Sequence, residues 1–318
     1  MSIESTYTED ILKDGFQQRT IPLKDDYEGK VIATLIRRLS KNNTNKAVLY
    51  IHGFNDYFFQ KEMALHFNDL NINFYALDLR KYGRSYLSHQ KFNDIRNLED
   101  YFEEIQAALN IIHEERNRIV LLIGHSTGGL IATLFAKKYP NSKLFDGLIL
   151  NSPFFEFNFN WLVRQVISVI SVIGRFLPKI KISGGFSPKY GESIHKSYNG
   201  EWDYNLEWKP NVAPRINLGW LRAIHNAQNE IKKEFYIDKP VLVMHSAESA
   251  NASENIDEIM QKDVILNIKD ISRIAKNIKG KVDDIAIKGG VHDLILSQKN
   301  VRNKVYDIIT SWISKIGF

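Results

Sequence analysis

Ser126 lies in Ile123-Gly124-His125-Ser126-Thr127-Gly128-Gly129, a G-x-S-x-G pattern. Such a pattern carries chemistry only where a strand leads into it and a helix leads out. The short apolar run Ile119 to Ile123 precedes it, and Leu130 to Tyr139 follows as a helical pattern that stops before Pro140. A serine at so sharp a turn presents its Oγ above the sheet. Its strained backbone demands small neighbours, which Gly124 and Gly128 supply. The first amides of the helix then face the site where an oxyanion would develop. The duller alternative is a glycine-rich turn capped by serine.

A nucleophilic serine needs a base, and the chain order serine, acid, histidine puts that base last. His292, in Gly289-Gly290-Val291-His292-Asp293, has this position, and the glycine pair gives its loop freedom to aim the ring. The duller reading is a loop histidine paired with Asp293. Of the other histidines only His245, at a strand end, lies beyond Pro240.

The acid should follow the run Pro240 to Ser246 and precede His292. Asp263 and Glu248 compete, with Asp257, Glu254 and Asp270 less favoured. Glu248 is nearer the strand end. Asp263 opens Asp-Val-Ile-Leu, a pattern that would return the loop to the sheet, and is preferred. Either would otherwise be a solvated loop carboxylate.

The oxyanion donors are expected at Thr127, the residue after the serine, and at Phe54 in His52-Gly53-Phe54-Asn55-Asp56, which follows the run Ala47 to Ile51. His52, Phe154 and Trp161 are candidate substrate contacts.

The elements that must position these residues are short apolar runs alternating with helical patterns. Val31 to Leu39, Ala47 to Ile51, Ile72 to Leu77, Ile119 to Ile123 and Leu148 to Leu150 read as strands, most of them buried on both faces. Leu98, Tyr101, Phe102, Ile105, Leu109 and Ile112 keep helical spacing, as do Val301, Val305, Ile308, Ile309, Trp312 and Ile313. The pattern predicts an α/β fold, with a mostly parallel sheet and helices on both faces.

The alternation breaks between Pro153 and Phe235, an irregular aromatic-rich segment containing Gly184-Gly185. It resumes at Pro240 to Ser246 and Asp284 to Lys288. This predicts one α/β core, residues 1–152 and 236–318, split by an inserted lid at 153–235. Trp161 to Leu177 would form a lid helix facing substrate or making transient contact with a membrane surface. A helix packed on the core is the duller account.

Composition narrows the classes. The 318 residues are 44% hydrophobic and 25% charged, which excludes disorder as the main state. The net charge of +5 is small and spread out, so no nucleic-acid partner is expected. Without cysteine there is no disulfide, thiolate metal site or cysteine nucleophile. The acidic, polar start lacks the features of a signal peptide, and a cytoplasmic location is the default. Phosphate-loop, dinucleotide and zinc motifs are missing: His113-Glu114 is followed at position 117 by Asn, so H-E-x-x-H fails and no metal is implied.

Taken together, His52-Gly53-Phe54, Asp78-Leu79-Arg80-Lys81-Tyr82-Gly83-Arg84-Ser85, Gly124 to Gly129, Asn151-Ser152-Pro153, Pro240 to Ser246 and Gly290-Val291-His292-Asp293 resemble the α/β-hydrolase superfamily. The nearest likeness is to monoacylglycerol lipase and lysophospholipase-like serine hydrolases, the group filed with the S33 serine aminopeptidases. The resemblance implies Ser126 as nucleophile, His292 as base, no cofactor, and a structural role for the Asp78–Ser85 segment. The usual compact G-x-x-D-x-V after the acid-bearing strand is missing. The region resembles a variant with an insertion there, which favours Asp263.

The expected activity is hydrolysis of a small-molecule acyl ester, such as a lysophospholipid or monoacylglycerol, through an acyl-enzyme. A peptidase or amidase of the S33 type would need an acidic anchor in the lid, for which Glu156, Glu192, Glu201, Asp203 and Glu207 are available. A non-catalytic binding protein on the same fold is the third reading. The sequence leaves oligomeric state open.

Overall fold

The computed structural model describes residues 6–182, 187–250 and 255–318. Gly184-Gly185 and Glu254, singled out above, lie outside the described residues. Nine strands form the main sheet: β1 (Thr8–Glu9), β2 (Gln17–Pro22), β3 (Ile32–Arg38), β4 (Lys46–Ile51), β5 (Asn73–Asp78), β6 (Ile119–His125), β7 (Gly147–Asn151), β8 (Val241–Ser246) and β9 (Val282–Ile287). Their spatial order is β1-β2-β3-β5-β4-β6-β7-β8-β9. The pairs from β1 to β5 are antiparallel, and those from β5 through β4 to β9 are parallel.

The strands buried on both faces are the ones with continuous apolar runs. In β4, Ala47, Leu49 and Ile51 enter one core, and Val48 and Tyr50 the other. Helices α1 (Lys61–Asp69) and α7 (Lys299–Lys315) cover the Val48 side. Helices α2 (Phe102–Glu114), α3 (Thr127–Lys138), α5 (Leu218–Glu230) and α6 (Ile268–Ala275) cover the other. β1 and β2 escaped sequence reading because Gln17-Gln18-Arg19 has no apolar run: these strands lie at the exposed edge.

The parallel register brings the carboxyl ends of the strands to one edge. Ile51 is level with Gly124, His125 with Asn151, Asn151 with Met244, and Ser246 with Ile287. Open parallel sheets gather their functional loops there.

Between β7 and β8 the segment is less irregular than the sequence suggests. It holds α4 (Trp161–Phe176) and α5. A Cβ on Gly174 would meet the Leu218 carbonyl at 2.4 Å, so glycine is what allows α4 and the start of α5 to approach so closely. Asn160 and Asn217 cap the two helices with their side chains. Among the described residues no helix is long and apolar enough to cross a membrane.

The Asp78–Ser85 segment is tied into the core. Arg80 forks onto buried Glu104, with Nη2 2.6 Å from Oε2. Arg84 joins Asp78 and Asp10, and Asp78 Oδ1 accepts the Phe58 amide.

Candidate active site

Ser126 is the one residue between the last of β6 and the first of α3. Its φ of 50° and ψ of −115° put it in a region that non-glycine residues enter only under strain. The surroundings hold it there. Its amide donates to Asn151 O at 3.0 Å, and its carbonyl accepts the Phe154 and Leu130 amides. A Cβ on Gly128 would lie 2.3 Å from Ile51 O and 2.4 Å from His52 O, so α3 reaches the sheet only because that atom is missing. A Cβ on Gly53 would lie 3.0 Å from Ser126 Cβ, which sets the Gly53-Phe54 backbone against the serine.

Ser126 Oγ lies 3.0 Å from His292 Nε2, and His292 Nδ1 lies 3.0 Å from Asp263 Oδ2. With Asp263 accepting, Nδ1 carries the hydrogen and Nε2 is left to accept from the serine hydroxyl. Asp263 is fully buried, and its Oδ1 accepts the Ile265 and Leu266 amides at 2.8 Å each. The carboxylate is therefore fixed on both oxygens.

The approach of Asp263 is built on backbone. After β8 the chain leaves the sheet and returns alongside it. The Asp263 amide donates to Glu248 O at 2.9 Å, the Ala250 amide to Asp263 O at 3.0 Å, and Ser249 and Asp263 form a parallel bridge. Glu248 points its side chain outward, 59% exposed and beside Lys262, away from His292. Asp257 is exposed, and Asp270 pairs with Arg164 and Arg273. Asp293 does not pair with the His292 ring; it caps the Leu294–Leu296 turn and accepts from Asn151 Nδ2 at 2.7 Å.

Thr127 opens α3, where helix amides have no partner one turn back. Phe54 sits in the loop after β4, its ring 4.6 Å from that of Trp220. The stretch between β7 and β8 grips this loop from outside. Asn55 Nδ2 donates to Pro210 O at 2.8 Å, Lys209 Nζ to Asp56 Oδ1 at 2.9 Å, and the Asn205 amide to Tyr57 Oη at 2.7 Å. Sequence reading missed Lys209: it stands 153 positions from Asp56, and no local pattern joins them.

A cavity of about 450 Å³ opens on Ser126 and His292. Phe154, Phe157, Ile167, Ile170, Trp220 and Leu266 give it a largely apolar wall. Among the described residues its Asp, Glu, Lys and Arg lining is the Asp56–Lys209 pair, and Glu156 lies elsewhere, against Arg164 and Lys232.

Two of the candidate substrate contacts, His52 and Trp161, lie outside this cavity, contrary to the expectation from sequence. His52 is fully buried, with Nδ1 directed at Gly53 O and Nε2 accepting the Leu79 amide at 3.0 Å. Burial holds the ring below its ordinary pKa, consistent with that acceptor role. Trp161 is 68% exposed on the outer side of α4. Phe154 lines the cavity.

For metal binding, Asp56, His125 and Asp293 bring one ligand atom each within 4.8 Å of one another. Lys209 already supplies Asp56 with a cation, and Asn151 and Ile295 supply Asp293 with donors.

The strand order and the strained serine ahead of α3 define an α/β-hydrolase. Within that class the chain belongs to the serine aminopeptidase S33 family, whose match covers residues 42–294. Among curated proteins it is similar to a monoglyceride lipase of Saccharomyces cerevisiae, 24% identical over 299 residues and covering 86% of this chain and 87% of that one. Among solved structures it resembles a soluble variant of the same yeast lipase bound to a substrate analogue, with a TM-score of 0.66, 18% identity, and 99% and 97% of the two chains covered. The monoacylglycerol lipase of Paleococcus ferrophilus superposes with a TM-score of 0.63 at 18% identity, covering 88% and 98%.

Proposed function

We propose that this chain hydrolyses carboxylic esters of lipid-like acids, a monoacylglycerol, lysophospholipid or similar acyl ester, through an acyl-enzyme on Ser126. The observation that carries the reading is the run of contacts from Asp263 through His292 to Ser126, opening directly on an apolar cavity. His292 Nε2 takes the Ser126 proton as Oγ attacks the acyl carbonyl. The imidazolium so formed is stabilised by Asp263 and gives its proton to the departing alcohol. Water then enters and the sequence repeats. The amides of Thr127 and Phe54 hold the oxyanion in this scheme.

The cavity supports an ester over an amine-anchored peptide. Its volume is within the range of ligand pockets, roughly 300–1,000 Å³. A substrate ammonium would need an unneutralised acidic group. Among the described residues the carboxylate in the wall, Asp56, already faces Lys209. The similarity to proteins named as monoglyceride lipases points the same way.

Residues 153–235 act as the lid in this account. Helix α4 is apolar on two faces: Ile167 and Ile170 turn to the cavity, while Trp161, Leu162, Val166, Val169, Val172 and Phe176 are exposed. From 157 to 191 the chain carries no Asp or Glu, and five Lys or Arg. An apolar face beside basic residues suits the surface of an anionic lipid aggregate.

Rates on p-nitrophenyl esters of rising chain length, beside monoacylglycerol, lysophospholipid and aminoacyl-anilide, test the reading. Preference for the acyl esters is expected. Faster cleavage of the anilide would overturn it in favour of the amidase.

A further inference from the structure

His245 lies outside the cavity wall and touches neither Ser126 nor His292, yet its ring meets both the residue where the chain leaves β8 towards Asp263 and the helix that follows Asp263. Its Nδ1 is 2.6 Å from Ser246 O, where β8 ends and the loop begins. Its Nε2 is 2.9 Å from Ser272 Oγ on α6, the helix that follows Asp263. The same nitrogen is 3.2 Å from Asp284 Oδ1 on neighbouring β9. His245 is 3% exposed.

The bonding continues from this ring to the acid. Ser246 Oγ donates to Glu248 O at 2.9 Å, and that carbonyl accepts the Asp263 amide. From the helix side, Ser249 Oγ donates to Leu266 O at 2.8 Å and accepts the Ile268 amide at 2.9 Å. Leu266 is one of the two amides that orient the Asp263 carboxylate.

Which nitrogens carry hydrogens follows from the partners. A carbonyl can only accept, so Nδ1 is protonated. A carboxylate facing Nε2 favours a hydrogen there too. The charged groups facing the ring are Asp284 from β9 and, further off, Asp263; Lys276 at the end of α6 acts on Asp284. Burial opposes the charge, but Asp284 and the Ser246 carbonyl outweigh it and raise His245 above its ordinary value. Asp284 is correspondingly lowered.

We infer that His245 is a positioning residue for the catalytic acid: its contacts with Ser246, Ser272 and Asp284 tie the β8 end of the acid loop to α6 and β9, and so keep Asp263 within reach of His292. This rests on the proposed roles of Ser126, His292 and Asp263. Loss of the Nε2 proton leaves the Ser246 contact and lets Ser272 donate instead, but ends the attraction to Asp284.

The test is steady-state kinetics of wild type, His245→Gln and Asp284→Asn across pH, with rates divided by the number of sites that a fluorophosphonate labels. For His245→Gln at neutral pH, kcat per labelled site should fall about tenfold with KM little changed, the signature of a misplaced catalytic group. Wild type should lose kcat on its alkaline side, and Asp284→Asn, which keeps the shape but not the charge, should shift that loss to lower pH. Wild-type kcat per site in His245→Gln overturns the inference, as do three pH profiles that superimpose after scaling, since a merely structural role changes the fraction folded and not the profile. Should His245→Gln fail to fold, the Asp284→Asn profile decides alone. Failure of wild type to label at all would instead strike the proposed function.

Discussion

Asp263 Oδ2 lies 3.0 Å from His292 Nδ1, although the chain has already passed the end of β8, left the sheet and come back before it supplies that carboxylate. The return is held by backbone pairing between Asp263 and Glu248–Ala250. In the proposed mechanism an acid so placed orients the imidazole and stabilises its charged form, and Asp263→Asn puts an amide NH2 where the accepting Oδ2 stood while keeping the shape. We expect kcat to fall by about 10³–10⁴-fold, the scale seen when a triad carboxylate becomes an amide. Glu248→Gln alters an exposed group beside Lys262 and should leave kcat within about twofold, as surface changes usually do. Steady-state kinetics on a p-nitrophenyl ester distinguishes the two carboxylates; a larger loss in Glu248→Gln would reverse their roles.

Cavity size should govern acyl-chain preference. Ile170 reaches the cavity from α4. Ile170→Trp adds bulk there, and kcat/KM for a dodecanoyl ester should drop about tenfold while an acetyl ester stays within about twofold, since pocket contacts discriminate by a few kcal/mol at most. Equal effects on both esters would mean that the chain runs elsewhere.

The outer face of α4 should govern interfacial behaviour. Val169 and Phe176 are 63% and 74% exposed. Glutamate at either position should weaken sedimentation with vesicles containing anionic lipid by about tenfold, the equivalent of one large apolar side chain kept in water. Turnover of a dissolved short-chain ester should be unaffected. Binding that ignores both the substitutions and added salt would remove the lipid-surface role.

His245 also gives stability a pH dependence. Its folded-state pKa is raised, so its contribution is complete below the unfolded value near 6.5 and is lost as pH climbs through the folded value. Wild type should melt above His245→Gln by a margin that is widest in mild acid and shrinks in alkali. A margin that grows with pH contradicts the assigned charge.

How far the sequence reveals this arrangement depends on how local each signal is. Ser126 and its glycines are contiguous, and the strand before and helix after can be read from the same few residues. His292 follows from chain order. Sequence alone leaves Asp263 in competition with Glu248, because the backbone pairing that brings Asp263 beside His292 joins separated segments and leaves no local pattern. His52 misleads for a related reason: His-Gly after a strand reads as a loop facing substrate, but the ring folds back onto the Gly53 carbonyl and the Leu79 amide. Helix α5 hides in an aromatic, asparagine-rich stretch whose buried face mixes Leu218, Leu221 and Ile224 with His225 and Gln228. The core strands are legible because burial on both faces requires unbroken apolar runs.

The central claim is that Ser126 forms the acyl-enzyme, and intact-mass analysis after fluorophosphonate treatment, paired with turnover of Ser126→Ala, tests it most directly. Wild type should gain a single adduct that maps to Ser126. Ser126→Ala should gain none and lose turnover by about 10⁴-fold or more, as expected when a nucleophile is removed. An adduct on another residue, or esterase turnover in Ser126→Ala equal to that of wild type, would contradict the account.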